Sequence, residues 1–260
     1  MLLTIDVGNT NTVFAVYDGD KCVLESRIDT NIKRMADQYA IMLMDILRLY
    51  EFDKNSLTGS IISSVVPPVT RQFVLAVKTL TGIETIVVEP GLKTGLNIKL
   101  DDLASLIGAD LVCGAVAAKT LYPCPCIVAD LGTVTKVLAL DAKGTLIGGV
   151  IAPGIGTSFE VMAGKTALLP LVGVDEVKKV IASNTIDCIR SGIILGTAFM
   201  LDGFIENFEE EIGKSSLVAT GGFAEIIILY CKRDIELNKS LVSQGLKIIY
   251  EKNKLGVLKN

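Results

Sequence analysis

The chain has 260 residues, half of them apolar and 21% charged, which is long enough for one large domain or two moderate ones around an ordinary buried core. Its formal net charge of -4, with acids and bases interspersed, leaves no basic face for a nucleic acid and no polybasic segment for an anionic membrane. Histidine is absent, which excludes histidine-based triads, most zinc chemistry and the usual general base, and leaves carboxylates as the proton acceptors.

In chain order, residues 2 to 7, 12 to 17 and 21 to 28 read as three strands, separated by a "GN" turn and by "DGD", a common hairpin signal. "MADQYAIMLMDILRLY" then carries apolar residues at helical spacing. "GSIISSVV" returns to strand, and Pro67 and Pro68 suit the first turn of the helix "VTRQFVLAVKTL". A further strand, "ETIVVE", precedes a glycine-rich loop, and "GADLVCGAVAAKTLY" predicts a helix. Near residue 125 the β-rich pattern begins again. After residue 152 helices dominate, the longest over about 184 to 212.

No basic region precedes Asp6, and later apolar stretches such as "SGIILGTAFMLDG" are too short to span a bilayer, so the sequence reads as cytoplasmic with no membrane partner. Six scattered cysteines in such a chain are expected as reduced thiols packed as small apolar groups. "CPC" at 124 to 126 has neither the spacing nor the second pair of a zinc knuckle, which favours a buried structural role.

The restart near residue 125 is an internal repeat. When "DVGNTNTVFAVYD" is set over "DLGTVTKVLALD", omitting Asn9, Asp6 meets Asp130, Gly8 meets Gly132, Thr10 meets Thr133, Thr12 meets Thr135 and Asp18 meets Asp141. Each copy is a strand, an acid, a Gly-Thr turn and a second strand, and each leads into a third. Two units of one design suggest two similar lobes whose turns face each other across a cleft. Glycine lets the backbone approach a ligand, amides and threonine hydroxyls donate to phosphate oxygens, and the aspartate can hold hydrated magnesium or orient a water. The alternative is a pair of ordinary hairpin turns with a satisfied aspartate at each strand end; the duplication favours the phosphate clamp.

Other nucleotide signatures are weaker. "GKT" at 164 to 166 has the tail of a phosphate-binding loop, but Phe159 stands where its leading glycine belongs, and no strand runs into it. "PGIG" at 153 to 156 does not extend to a dinucleotide fingerprint. "VATGGF" at 218 to 223, an apolar strand ending in paired glycines before a helix, suits either a flat ring or ribose lying on bare backbone or a tight strand-to-helix connection. Asp110, taken alone, reads as a helix N-cap ahead of "LVCGAVAA".

Taken together, "DVGNT", "SSVVPP", "KTGLNI", "GAD", "DLGTVT", "GGVIAPGIGTSFE", "NT" at 184 and 185, and "ATGG" at 219 to 222 resemble type III pantothenate kinase over nearly the whole chain. The resemblance implies an α/β fold of the acetate and sugar kinase, Hsp70 and actin superfamily. Two duplicated ribonuclease-H-like lobes, residues 1–122 and 123–260, then hold ATP in a cleft between them. It carries Asp6, Gly8, Asn9 and Thr10 onto the first phosphate motif and Gly132 and Thr133 onto the second. Gly221 and Gly222 match the adenosine side. Asp110 falls on the general base that takes the proton of the pantothenate hydroxyl, with Gly108 beside it and Thr185 contacting substrate from a second subunit of a homodimer. Asp6 is implied as a magnesium position and Asp130 as the position of a monovalent cation, potassium or ammonium.

The departures from the family pattern are Leu111 where relatives carry arginine, Leu100 where they often carry tyrosine, and Lys136 in place of a common threonine. With Leu111, a carboxylate of the substrate needs another donor, for which Lys93, Lys99 and Arg190 are candidates. A homologue that binds ATP without catalysis, or a kinase of the same fold for another small hydroxylated acceptor, stays open beside pantothenate phosphorylation. The apolar "TIDCIRSGIILGTAFMLDGFIE" suits either a subunit interface or a core helix.

Overall fold

The computed structural model describes residues 1–100, 107–165, 169–170 and 172–257. They form two compact units, one within Met1–Gly95, Leu103–Ala117 and Leu241–Asn260, the other within Leu96–Asp102 and Ala118–Ser240.

In the first unit, β1 (Leu2–Val7), β2 (Asn11–Asp18) and β3 (Lys21–Asp29) form an antiparallel meander, as the two turn signals predict. β4 (Gly59–Ser64) then pairs parallel to β1 on its other side, and β5 (Thr85–Val87) pairs parallel to β4, giving the order β3-β2-β1-β4-β5. Parallel neighbours require crossovers, and α1 (Ala36–Leu49) and α2 (Pro67–Thr81) provide them. Leu3, Ile5 and Val7 alternate onto one face of β1 and join Phe14, Tyr39, Leu43, Phe73 and Val77 in a single core. The Tyr39 and Phe73 rings stack at 4.0 Å between centroids.

The opposite face is covered by α8 (Leu241–Val257), which packs on β1 and β4. Tyr17 of β2 shares a 2.9 Å hydrogen bond with Ser243 of α8, and burial pushes its phenol up to about 12. At Gly245 a Cβ would lie 1.9 Å from the carbonyl oxygen of Cys113 on α3 (Ala109–Leu121), so these two helices touch backbone to backbone and glycine is required. By its contacts α8 thus belongs to the first unit, although in sequence it follows the second. A half-covered sheet in the first unit needs a helix on its second face, and the chain returns at its end to supply it.

The second unit repeats the plan. β7 (Cys126–Leu131), β8 (Val134–Leu140) and β9 (Thr145–Pro153) form the meander; β10 (Ser216–Thr220) and β11 (Glu236–Leu237) add in parallel to the other side of β7. The order β9-β8-β7-β10-β11 matches that of the first unit strand for strand, with the two-residue β6 (Asn97–Ile98) added beside β9. Its core gathers Ile127, Ala129 and Leu131 with α4 (Ile155–Lys165) and with a long helix made of α5 (Thr185–Arg190), a π-helical turn over Ser191–Leu195 and α6 (Gly196–Ile212). α7 (Ala224–Ile228) completes it.

The long helix occupies the predicted stretch but runs well past both ends of "SGIILGTAFMLDG". Over its 28 residues it is long and apolar enough to cross a membrane, so length does not exclude a span. It serves as a core helix: Ile189, Ile194, Ala198, Leu201 and Ile205 are buried in the unit, and Asp187, Arg190, Asp202 and Glu206 lie along its length. All six cysteines are free thiols, with Cys113 and Cys126 fully buried and Cys124 half-buried.

Candidate active site

β1 ends at Val7 and β2 begins at Asn11, so Gly8, Asn9 and Thr10 make the first turn. The Gly8 N–H donates to the Asn11 carbonyl at 3.0 Å, and a Cβ on Gly8 would stand 3.1 Å from that oxygen, so a side chain crowds the turn. Thr30, just beyond β3, braces it from outside. Its hydroxyl donates to the Gly8 carbonyl at 2.8 Å, and its N–H donates to the Thr10 carbonyl at 2.9 Å. The side chains of Asn9 and Thr10 are left exposed.

Asp6 lies between Ile5 and Val7, whose side chains enter the α1/α2 core, and so belongs to the opposite face with Thr4. Its neighbour across the parallel pair is Ser63 of β4. α3 brings Cys113 to this point. Burial pushes the Cys113 thiol well up, the Asp6 charge adds to it, the Ser63 hydroxyl opposes it, and the Asp110 charge raises it again. Two carboxylates far apart in the sequence thus act on one buried thiol.

Asp110 is the second residue of α3, and the position before the helix is Gly108, whose carbonyl accepts from Leu111 N–H at 3.0 Å and Val112 N–H at 3.2 Å. The cap position is therefore Gly108, and Asp110 sits inside the first turn, where the helix dipole favours its negative charge. Its Oδ1 accepts the Leu111 N–H at 2.8 Å. A Cβ on Gly108 would fall 2.3 Å from that oxygen, so the glycine makes room for the carboxylate.

In the second unit Gly132 and Thr133 form the turn between β7 and β8. The start of α4 rests on it. A Cβ at Gly154 would lie 2.2 Å from the Thr133 carbonyl oxygen and 2.4 Å from that of Gly132, and the Thr157 hydroxyl donates to Thr133 O at 2.9 Å. Gly221 has φ +97° and its Cβ would lie 2.6 Å from the Leu131 carbonyl; the Phe223 N–H donates to that carbonyl at 2.9 Å. Asp130, Gly132, Thr133, Gly154 and the Gly221–Gly222 turn thereby converge. The contacts of Gly154 and Phe223 with this turn are not among the sequence expectations. Their signal is present in "APGIGTSF" and "GGF", but the close approach depends on which loop the sheet order brings alongside. Gly164 and Lys165 of the "GKT" stretch end α4 rather than open a helix after a strand, which removes the loop reading; Thr166 lies outside the described residues, as do Asp101 and Asp102 of "IKLDD".

Lys136 faces Asp130 directly across the β7–β8 pair, with its Nζ 3.2 Å from Asp130 Oδ2 and both side chains about four-fifths buried. The corresponding pair in the first unit is Asp6 and Val13. Asp130, where the resemblance implies a monovalent cation, thus has a side-chain ammonium fixed beside it.

Thr185 lies in the second unit, exposed at the start of the long helix, where the Asn184 side chain caps by accepting from Asp187 N–H at 3.0 Å. With Asn184, Met162, Ile189 and Ile193 it lines a cavity of about 760 Å³. Arg190, one candidate donor for a substrate carboxylate, is engaged with Asp175 at 3.5 Å, Asp187 at 3.7 Å and the Gly173 carbonyl at 3.1 Å.

A protein from Campylobacter jejuni described as a "conserved putative Baf family transcriptional activator" matches with a TM-score of 0.62 at 19% identity, over 97% of this chain and 99% of its own. The activator of 2-hydroxyisocaproyl-CoA dehydratase from Clostridium difficile, solved with bound ADPNP, matches with 0.56 at 13% identity, over 100% and 97%. Ethanolamine utilization protein EutJ from Carboxydothermus hydrogenoformans gives 0.55 at 16%, over 95% and 89%. At these identities the likeness speaks for the fold alone, two α/β units of one strand order. A family model described as type III pantothenate kinase matches residues 2–207. The chain belongs to the type III pantothenate kinase family, ATP-dependent phosphotransferases with an alcohol acceptor.

Proposed function

We propose that the chain transfers the γ-phosphoryl group of ATP to the primary hydroxyl of pantothenate, giving 4'-phosphopantothenate, the first step toward coenzyme A. The observation that carries this reading is the placement of two acids in the first unit, Asp6 at the end of β1 bordering the Gly8 turn and Asp110 in the first turn of α3, where the Leu111 N–H holds one of its oxygens and Gly108 leaves it space. Phosphoryl transfer asks for positioning and charge neutralisation more than for covalent chemistry.

In this reading the amides and hydroxyls of Gly8, Asn9, Thr10, Gly132 and Thr133 hold phosphate oxygens, and Gly221 and Gly222 offer bare backbone to adenosine. Asp110 takes the proton of the pantothenate hydroxyl; the Leu111 N–H fixes one of its oxygens, and Gly108 leaves it space. Asp6 fits magnesium, being a half-buried oxygen donor beside a phosphate turn. No cluster of three metal-ligating side chains exists among the described residues, so most of the ion's ligands are left to phosphate and water oxygens. Magnesium bound there neutralises phosphate charge. A homodimer in which Thr185 reaches the pantothenate site of a second copy fits the exposed apolar side chains Val180, Ile181, Ile186 and Phe199. The same reading puts the protein in the cytoplasm.

The experiment is product analysis by mass spectrometry after incubating the purified protein with ATP, magnesium and pantothenate, beside a panel of other small hydroxylated acceptors. 4'-Phosphopantothenate as the main product is expected. Preferential phosphorylation of another acceptor, or ATP binding with no transfer to any acceptor, overturns the reading in favour of a different kinase or a non-catalytic homologue.

A further inference from the structure

We propose that Lys136 is a built-in cation of the second phosphate turn, and that it makes nucleotide binding indifferent to which monovalent cation is in solution. The inference rests on the reading that the 132–133 turn binds the phosphates of ATP.

Three observations carry it. Lys136 and Asp130 are register partners in the β7–β8 pair, so the ammonium is fixed by the sheet as well as by its 3.2 Å contact with Asp130 Oδ2. Both side chains are about four-fifths buried, which limits screening by salt. The repeat supplies the control: in the first unit the residue opposite the equivalent acid, Asp6, is Val13, so the cation is a feature of the second turn and not of the shared frame. An aspartate beside an anionic ligand needs a positive charge between or next to them. Here a side chain of the same strand pair provides one, so a dissolved ion is not needed for that role.

The test measures ATP affinity by titration calorimetry with magnesium present, in potassium, ammonium, sodium and N-methylglucamine chlorides at equal ionic strength. The intact protein is expected to change by less than about twofold across the four salts. Lys136→Met, which keeps the apolar stem and removes the charge, is expected to bind about tenfold or more weakly in N-methylglucamine chloride, the scale of a charge-assisted hydrogen bond, and to recover in potassium or ammonium. Lys136→Gln serves if the methionine variant does not fold. Loss of about tenfold in affinity by the intact protein when potassium is replaced by N-methylglucamine overturns the proposal while leaving the nucleotide reading in place. So does wild-type affinity of the variants in every salt. Absence of ATP binding by the intact protein in all four salts overturns the nucleotide reading, and the proposal with it.

Discussion

The two turns of this protein share a strand order and a position at the end of the central strand, yet they surround their aspartates differently. Asp6 is paired across the strands with Ser63 and its charge acts on the buried Cys113 thiol; Asp130 faces Lys136, with Gly132 of its turn beside it. Duplication fixed where an acid stands relative to a Gly-Thr turn. What the acid does is set by the residue across the strand and the helix laid over it, and those diverged. The proposed function puts a cation and a proton at the acids of the first unit, whereas the acid of the second turn has an ammonium beside it.

The sharpest way to break this contrast is to neutralise each acid. Asp6→Asn removes the charge proposed to hold magnesium and is expected to abolish turnover while leaving the melting temperature unchanged; wild-type turnover in that variant would remove the clamp. Asp130→Asn strips the partner from a lysine held mostly out of water, where breaking a fully buried pair costs about 3–5 kcal/mol. With a fifth of each side chain exposed, about 1–3 kcal/mol is expected, and thermal denaturation should show it. Equal melting temperatures for the two variants would mean that the two acids are equivalent after all.

The glycines sharpen the comparison at smaller scale. Gly221→Ala forces an L side chain to φ +97° and within 2.6 Å of the Leu131 backbone, so it is expected to cost more than about 1 kcal/mol and several degrees of melting temperature. Gly8→Ala has no positive φ and a single 3.1 Å approach, and a loss below that of Gly221→Ala is expected in the same measurement.

The repeat was legible because acid, glycine and threonine recur at matched spacing, and hairpins read locally. Three things were not. α8 covers the first sheet although it lies at the chain's end, since an amphipathic helix states that it needs a surface but not which one. β6 joins the second sheet through only two residues, too few for any pattern. Lys136 was visible as a departure, but its partner was not, because cross-strand neighbours follow from register, which the turn sets. On the site side, Gly108 and Asp110 were legible as a motif, whereas the Asp6 and Asp110 charges acting together on buried Cys113 depend on tertiary packing that no local pattern states.

A smaller effect belongs to the first unit alone. Lys247 of α8 donates to Asp20 at 2.7 Å and Glu251 at 2.9 Å; burial lowers its pKa, but these two partners outweigh burial and leave it above the ordinary lysine value. A raised value in the folded state means stability that is present below the ordinary lysine pKa and lost as pH rises through the folded one. Lys247→Met is expected to lower stability at neutral pH only slightly, since Asp20 is fully exposed and solvent screens the pair, and to flatten the alkaline limb of melting temperature against pH. An unchanged limb would mean the pair contributes nothing.

In the proposed reaction Asp110 is the proton acceptor. The deciding measurement is the steady-state rate of pantothenate-dependent ADP release by Asp110→Asn, with ATP binding and the melting temperature measured on the same sample. The account predicts a fall in kcat of about 10²–10⁴-fold with ATP affinity and melting temperature retained. A variant that turns over pantothenate at the wild-type rate would contradict it.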